Sequence, residues 1–242
     1  LAKNVFGNPH SINPTSKFST KLVEEARDSV IRFFNADDYY CIFTPNASGA
    51  LKIIGECYPF HQSGCFLLSS DNHNSVNGIR EYCRNRGGKF QYTKIRYEDL
   101  CLDEVELTIN LQSYNDCENK LFAFPAQSNV SGVKHSLKWI EKAHSNGWDV
   151  LLDAAAFVPT NSLDLSKYQP DFVSVSFYKI FGYPTGLGCL LVKKEKFNKL
   201  QKKWVAGGTV SLSSVAASYH FLAKDHERFE DGTVNYLDIP AI

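Results

Sequence analysis

The sequence predicts an α/β domain in three layers, with helices on both faces of a mostly parallel sheet. Three observations lead there. Short apolar runs alternate along the chain with amphipathic stretches of helical period. Strands of that kind, joined by helices, belong to sheets covered on both faces. The chain's 242 residues hold no internal repeat, low-complexity tract or Pro/Ser-rich linker, and that length can bury a sizeable core.

The elements follow in order. Residues 18–34 read as a helix, with Leu22, Ala26, Val30 and Phe33 on one face. Glu24, Glu25, Arg27 and Asp28 lie largely on the others. Residues 39–43 form a short apolar strand, broken by Thr44-Pro45-Asn46, and 47–57 suit a helix. A strand at 65–68 precedes a helix at 74–86 that buries Val76, Ile79 and Cys83 and stops at Gly87-Gly88. Further strands fall at 90–93, 121–124, 150–153, 172–175 and 187–192. A helix at 136–145 takes Ser136 as its cap and ends at Asn146-Gly147. Residues 99–119 are acidic and irregular and receive no element; 207–233 are rich in Gly, Ser and Thr and read as loops.

Composition excludes several classes. Lys plus Arg equals Asp plus Glu at 26 each, so no nucleic-acid or anionic-membrane partner is expected. No apolar run approaches a membrane span and no signal peptide opens the chain. The seven cysteines form no C-x-x-C pair, which excludes a zinc knuckle; no metal site is expected, and the thiols read as reduced and mostly buried in a cytoplasmic protein.

Ligands in such sheets bind beyond the carboxyl ends of the strands. The polar residues placed there are Ala47-Ser48-Gly49, Asp71-Asn72-His73, Gln127-Ser128-Asn129, Asp153, and Ser176 with Lys179. Asp153 ends the run Val150-Leu151-Leu152, where an Asp is otherwise an ordinary helix cap. Lys179 stands among Phe177, Tyr178, Ile180 and Phe181. A lone lysine there reads first as a snorkelling surface residue. Together the two point further: a desolvated lysine can form a Schiff base, and a carboxylate at a neighbouring strand end is the partner of a pyridinium nitrogen.

The run Ser174-Val175-Ser176-Phe177-Tyr178-Lys179-Ile180-Phe181-Gly182-Tyr183-Pro184-Thr185-Gly186 resembles the lysine motif of molybdenum cofactor sulfurases, within the class V aminotransferase and cysteine desulfurase group. Phe6-Gly7-Asn8-Pro9-His10-Ser11, Asp71-Asn72-His73-Asn74-Ser75, Phe124-Pro125-Ala126-Gln127-Ser128-Asn129 and Phe229-Glu230-Asp231-Gly232-Thr233 agree with it. The resemblance spans nearly the whole chain and implies the large domain of fold type I pyridoxal 5'-phosphate (PLP) transferases.

It also implies roles. Lys179 would carry PLP and move the substrate's α-proton; Asp153 would pair with the pyridine nitrogen; His73 would stack on the ring; Asn129 would bond its phenolic oxygen. Ala47 and Ser48 at a helix N-terminus, with Ser176, would hold the phosphate. Gly208-Thr209 would reach the phosphate of a partner subunit, which implies a homodimer. Each has a plainer reading: His73 and Ser48 as helix caps, Asn129 as a turn residue, Gly207-Gly208 as a flexible loop. The sequons at Asn46 and Asn129 fall inside this pocket, so neither is read as glycosylated. Ala156 replaces a Gln usual in desulfurases, and Tyr178 a His. Both departures fit the sulfurase branch.

The implied reaction removes sulfur from L-cysteine, with the molybdenum cofactor as acceptor. Alternatives are a class V lyase, epimerase or transaminase, or a truncated non-catalytic PLP-binding homologue; a Rossmann nucleotide site lacks its G-x-G-x-x-G. Residues 1–226 are expected to form the cofactor domain and 227–242 the start of a smaller one. The absence of Met and the motif map lead us to expect a chain cut at both ends, with the nucleophilic Cys and the arginine for the substrate carboxylate beyond residue 242. None of Cys41, Cys83 and Cys189, on buried faces, is a suitable thiolate.

Overall fold

A computed structural model describes residues 4–114 and 116–242. Seven strands form its central sheet: β1 (Tyr39–Thr44), β2 (Gly64–Ser69), β3 (Lys89–Thr93), β4 (Asn119–Pro125), β5 (Asp149–Asp153), β6 (Phe172–Ser176) and β7 (Gly188–Lys193). Their order is β1-β7-β6-β5-β4-β2-β3. The pairs from β3 through β6 are parallel, and only β7 runs the other way, antiparallel to both β6 and β1. The link over 177–187 is too short for a crossover, so β7 must turn back beside β6.

Every residue of β2, β5 and β6 is buried, as expected of strands with helices on both sides. The pleat divides their side chains between two cores. Cys65, Leu67, Val150 and Leu152 face the layer of α1 (Pro14–Phe33), α5 (Glu104–Gln112) and α6 (Lys138–His144). Phe66, Leu68 and Leu151 face that of α2 (Ala47–Cys57), α3 (Asn74–Asn77) and α4 (Ile79–Asn85). Short helices α7 (Tyr178–Phe181) and α8 (Lys194–Phe197) flank β7.

Several local expectations change. Helix α1 begins earlier, because Asn13 Oδ1 accepts Ser16 N–H at 3.0 Å and Pro14 suits the first turn. Its buried face uses Val23, Ala26 and Val30, while Phe33 is exposed and Phe34 is buried instead. Arg27, read as solvent-facing, is buried. The helix expected over 74–86 divides at Gly78. The segment left without an element contains α5, capped by Asp103, whose Oδ1 accepts from Val105 and Glu106 N–H. Helix α6 starts at Lys138 with Leu137 as cap; Ser136 Oγ only meets Lys138 N–H at 3.4 Å. The supposed loops of 207–233 include a hairpin, β8 (Val210–Ser213) with β9 (His220–Leu222).

Seven reduced thiols were expected, but Cys65 and Cys117 are joined, their Cα atoms 6.0 Å apart. The approach to β4 lays this segment along the start of β2, with Glu118 N–H donating to Ser63 O at 3.0 Å, a proximity that spacing along the chain does not reveal. Residues 227–242, expected to open a second domain, pack on this one: Phe229 and Ile239 are buried in its two cores. Among the described residues no helix is long and apolar enough to cross a membrane.

Candidate active site

The carboxyl ends of β1, β2, β4, β5 and β6 converge on one edge of the sheet. Asp153 ends β5. The apolar residues before it are buried in the two cores, so its carboxylate emerges at the strand end, only 7% exposed. Its Oδ1 accepts Ala155 N–H at 3.1 Å and Ser174 Oγ–H at 3.0 Å. Among the described residues its Oδ2 meets no donor. Ser174, which the sequence reading gave no role, reaches Asp153 because the parallel register sets the two residues side by side. The alternation of Ser174 and Ser176 with apolar neighbours on β6 is the signal for it.

Ser176 ends β6, and its Oγ accepts Ala47 N–H at 2.9 Å. Two expected phosphate ligands are thus in contact, the strand end fastened to the start of α2. Asn46 completes that helix start by capping Gly49 N–H at 2.9 Å. Gly188 permits the approach: a Cβ there would lie 2.7 Å from Asn46 Cα and collide with Val175 O. Ser48 is exposed, and its hydroxyl lies 2.6 Å from that of Ser75 on α3. The hydroxyls of Ser48 and Ser75 therefore meet where a helix N-terminus also offers its dipole. Ser75 was not singled out; its partner is 27 residues away.

His73 is exposed, and its Nδ1 accepts Ser75 N–H at 3.1 Å, so the capping reading of this residue describes its hydrogen bond. Asn129 is exposed on the turn after β4, with no side-chain hydrogen bond among the described residues. Lys179 is exposed on α7 and has neither an ion pair nor a hydrogen bond among the described residues. The expected hemming-in is not seen. Phe177 alone of its neighbours is buried, whereas Tyr178 and Phe181 are exposed, because α7 lies outside the sheet between Phe177 and Gly182.

Thr209, expected at the phosphate of a partner subunit, is engaged within its own chain. It is fully buried, and its hydroxyl is closed on Ala206, accepting the N–H and donating to the C=O, each at 2.9 Å. Burial pushes the Cys57 and Cys83 thiols up to about 12 and Cys189 well above the usual value, as expected of thiols unsuited to act as thiolates.

The family model for class-V aminotransferases matches residues 2–242. The chain belongs to the class-V aminotransferase family. Among relatives of this class-V chain, the molybdenum cofactor sulfurase of Oryza sativa subsp. japonica is 38% identical over 278 residues, covering 100% of the chain and 34% of that protein. That of Homo sapiens is 40% identical over 263 residues, covering 100% of the chain and 29% of that protein. The class-V chain thus spans about a third of the length of these curated relatives. The apo cysteine desulfurase of Thermococcus onnurineus NA1 has the same fold, with a TM-score of 0.86 at 24% identity over 97% of this chain and 58% of that one.

Proposed function

We propose that this chain is the PLP-binding part of an enzyme that takes sulfur from L-cysteine. The observation that carries the reading is Asp153: a buried carboxylate at the mouth of the strand ends, with one oxygen bonded twice and the other, among the described residues, without a donor. That second oxygen fits a pyridinium N–H, and the donor set around it fits the rest of the group. Ser48 and Ser176, with the start of α2 from Ala47, would hold the phosphate; His73 would lie against the ring; Asn129 would donate to the phenolic oxygen; Lys179 would bind the aldehyde carbon. Thr209 is left out of this set, its hydroxyl being closed on Ala206.

PLP supplies an electron sink for the bonds at the substrate's α-carbon. The chain's own residues do the rest. Lys179 Nζ, free of any carboxylate among the described residues, takes the α-proton and returns it. The second bond of Asp153 Oδ1, from Ser174, would hold the carboxylate in place and leave Oδ2 for the ring nitrogen. The Ser176–Ala47 contact fastens the start of α2, where the phosphate would bind, to the strand that also carries Ser174.

The relatives' names support the molybdenum cofactor as sulfur acceptor, a homodimer is the proposed assembly and the cytoplasm the proposed compartment. The transfer thiol is assigned to none of the seven cysteines. The test uses the full-length protein with PLP. Borohydride reduction should fix the cofactor to Lys179, found by peptide mapping, and cysteine should yield alanine. A protein that stays colourless with PLP overturns the cofactor role; pyruvate as the main product overturns sulfur transfer in favour of a lyase.

A further inference from the structure

A buried hydrogen bond between a histidine and a carboxylate lies beneath the two loops that carry His73 and Asn129. His135 Nε2 meets Asp71 Oδ2 at 2.8 Å, and the two side chains are 0% and 5% exposed. His135 Nδ1 accepts Leu102 N–H at 3.4 Å, which puts the ring proton on Nε2, facing the carboxylate. Asp71 Oδ1 accepts Ser69 Oγ–H at 2.8 Å. Burial alone would raise the Asp71 carboxyl; the hydrogen bonds from His135 and from the Ser69 and Ser128 hydroxyls outweigh it and hold the acid below its usual range.

The placement is informative. Asp71 follows β2 and stands two residues before His73. His135 closes the turn after β4: its N–H donates to Ala126 O at 3.0 Å, and Ser128 N–H to Val133 O at 2.9 Å, so Asn129 sits at the tip of a small loop whose base is His135. Asn72 Nδ2 also donates to Ala123 O at 3.0 Å, near the end of β4. Two apolar side chains would fill the same space without the cost of burying a charge. What the polar pair adds is direction, since the bond fixes the ring plane of one loop against the carboxylate plane of the other.

We propose that Asp71 and His135 are positioning residues that set His73 and Asn129 at the spacing the pyridoxal ring requires. The inference rests on the PLP reading above. It concerns how two loops are aligned, not which atoms react.

The experiment compares His135→Leu, His135→Gln and Asp71→Asn in the full-length protein. It measures PLP affinity by titration, the visible absorption of the bound cofactor, melting temperature, and kcat and KM for cysteine. His135→Leu leaves the Asp71 carboxylate without its donor. It should raise the PLP dissociation constant about tenfold, shift the absorption and lower kcat with little change in KM. His135→Gln keeps an N–H donor and should restore affinity and spectrum. Wild-type affinity and spectrum in His135→Leu, whatever its melting temperature, overturn the proposal, as does a glutamine variant no better than the leucine one. Should His135→Leu not fold, Asp71→Asn decides, since it keeps the shape and weakens the bond: unchanged affinity and spectrum overturn the proposal. A wild-type protein that takes up no PLP overturns the cofactor reading and this one with it; normal uptake with indifferent variants overturns this one alone.

Discussion

Asp153 reaches the site with its two oxygens in different states, and that difference is a property of its neighbours. Ala155 N–H and Ser174 Oγ–H both fall on Oδ1, so Oδ2 is left for a ligand. Asp153→Ala should slow exchange of the cysteine α-proton with solvent at least about a hundredfold while Lys179 still takes up PLP. Deuterium incorporation followed by NMR measures this, and exchange near the wild-type rate removes Asp153 from the mechanism. Asp153, Ser176 and Lys179 are legible in the sequence because each follows an apolar run whose end marks a strand end. Ser174 shows only as a polar residue alternating with apolar ones, its partner 21 residues away, and His135 does not show at all, because its partner stands 64 residues away and nothing local points to it.

At the scale of elements, the start of α2 is where the proposed function would join stability to ligand binding. Asn46 lies fully extended and caps Gly49 N–H, while Ser176 takes Ala47 N–H, so two otherwise orphaned helix donors are satisfied before any ligand arrives. Asn46→Ala should cost about 1 kcal/mol of stability and weaken binding of PLP more than that of deoxypyridoxine, which lacks the phosphate. Thermal melts and parallel titrations check both, and equal losses for the two ligands would sever the cap from the phosphate site. The extent of α2 can be read from the sequence, bounded by Pro45-Asn46 before it and Tyr58-Pro59 after it. Helix α5 escaped because it buries little, with Leu107 and Leu111 as its buried apolar residues, and its acidic first turn reads as loop rather than as charges suited to a helix N-terminus. The strands of the β8–β9 hairpin are too short and too exposed to show a period.

The whole molecule is closed by a contact between its two ends. Arg27 of α1 donates to Glu230 through both terminal nitrogens, at 2.7 and 3.2 Å, and to Cys41 O at 2.5 Å; Glu230 also accepts Phe43 N–H at 2.7 Å. Burial works against the Arg27 charge, but the Glu230 carboxylate beside it prevails and its pKa lies above the usual value. Glu230→Ala would strand that guanidinium and should cost about 3–5 kcal/mol, a fall of roughly 10 °C in melting temperature for a domain of this size. Arg27→Met with Glu230→Leu should recover most of the loss; a double variant as unstable as the single one would show that the pair is not the cause. The sequence conceals this contact because its members lie 203 residues apart, and an arginine among acidic neighbours on a helix reads as a solvated one.

The reversed strand β7 has a consequence for how the molecule comes into being. Gly188 pairs with Thr44 on one side and Ser176 on the other, so β7 is the plank that joins β1 to the rest of the sheet. As the chain leaves the ribosome, residues 39–44 have no strand to pair with until 188–193 emerge. By then Lys179 has already been made. The start of α2, where we place the phosphate, is therefore fastened against β6 and β7 only after Lys179 has been synthesised, so the amine precedes the finished cradle.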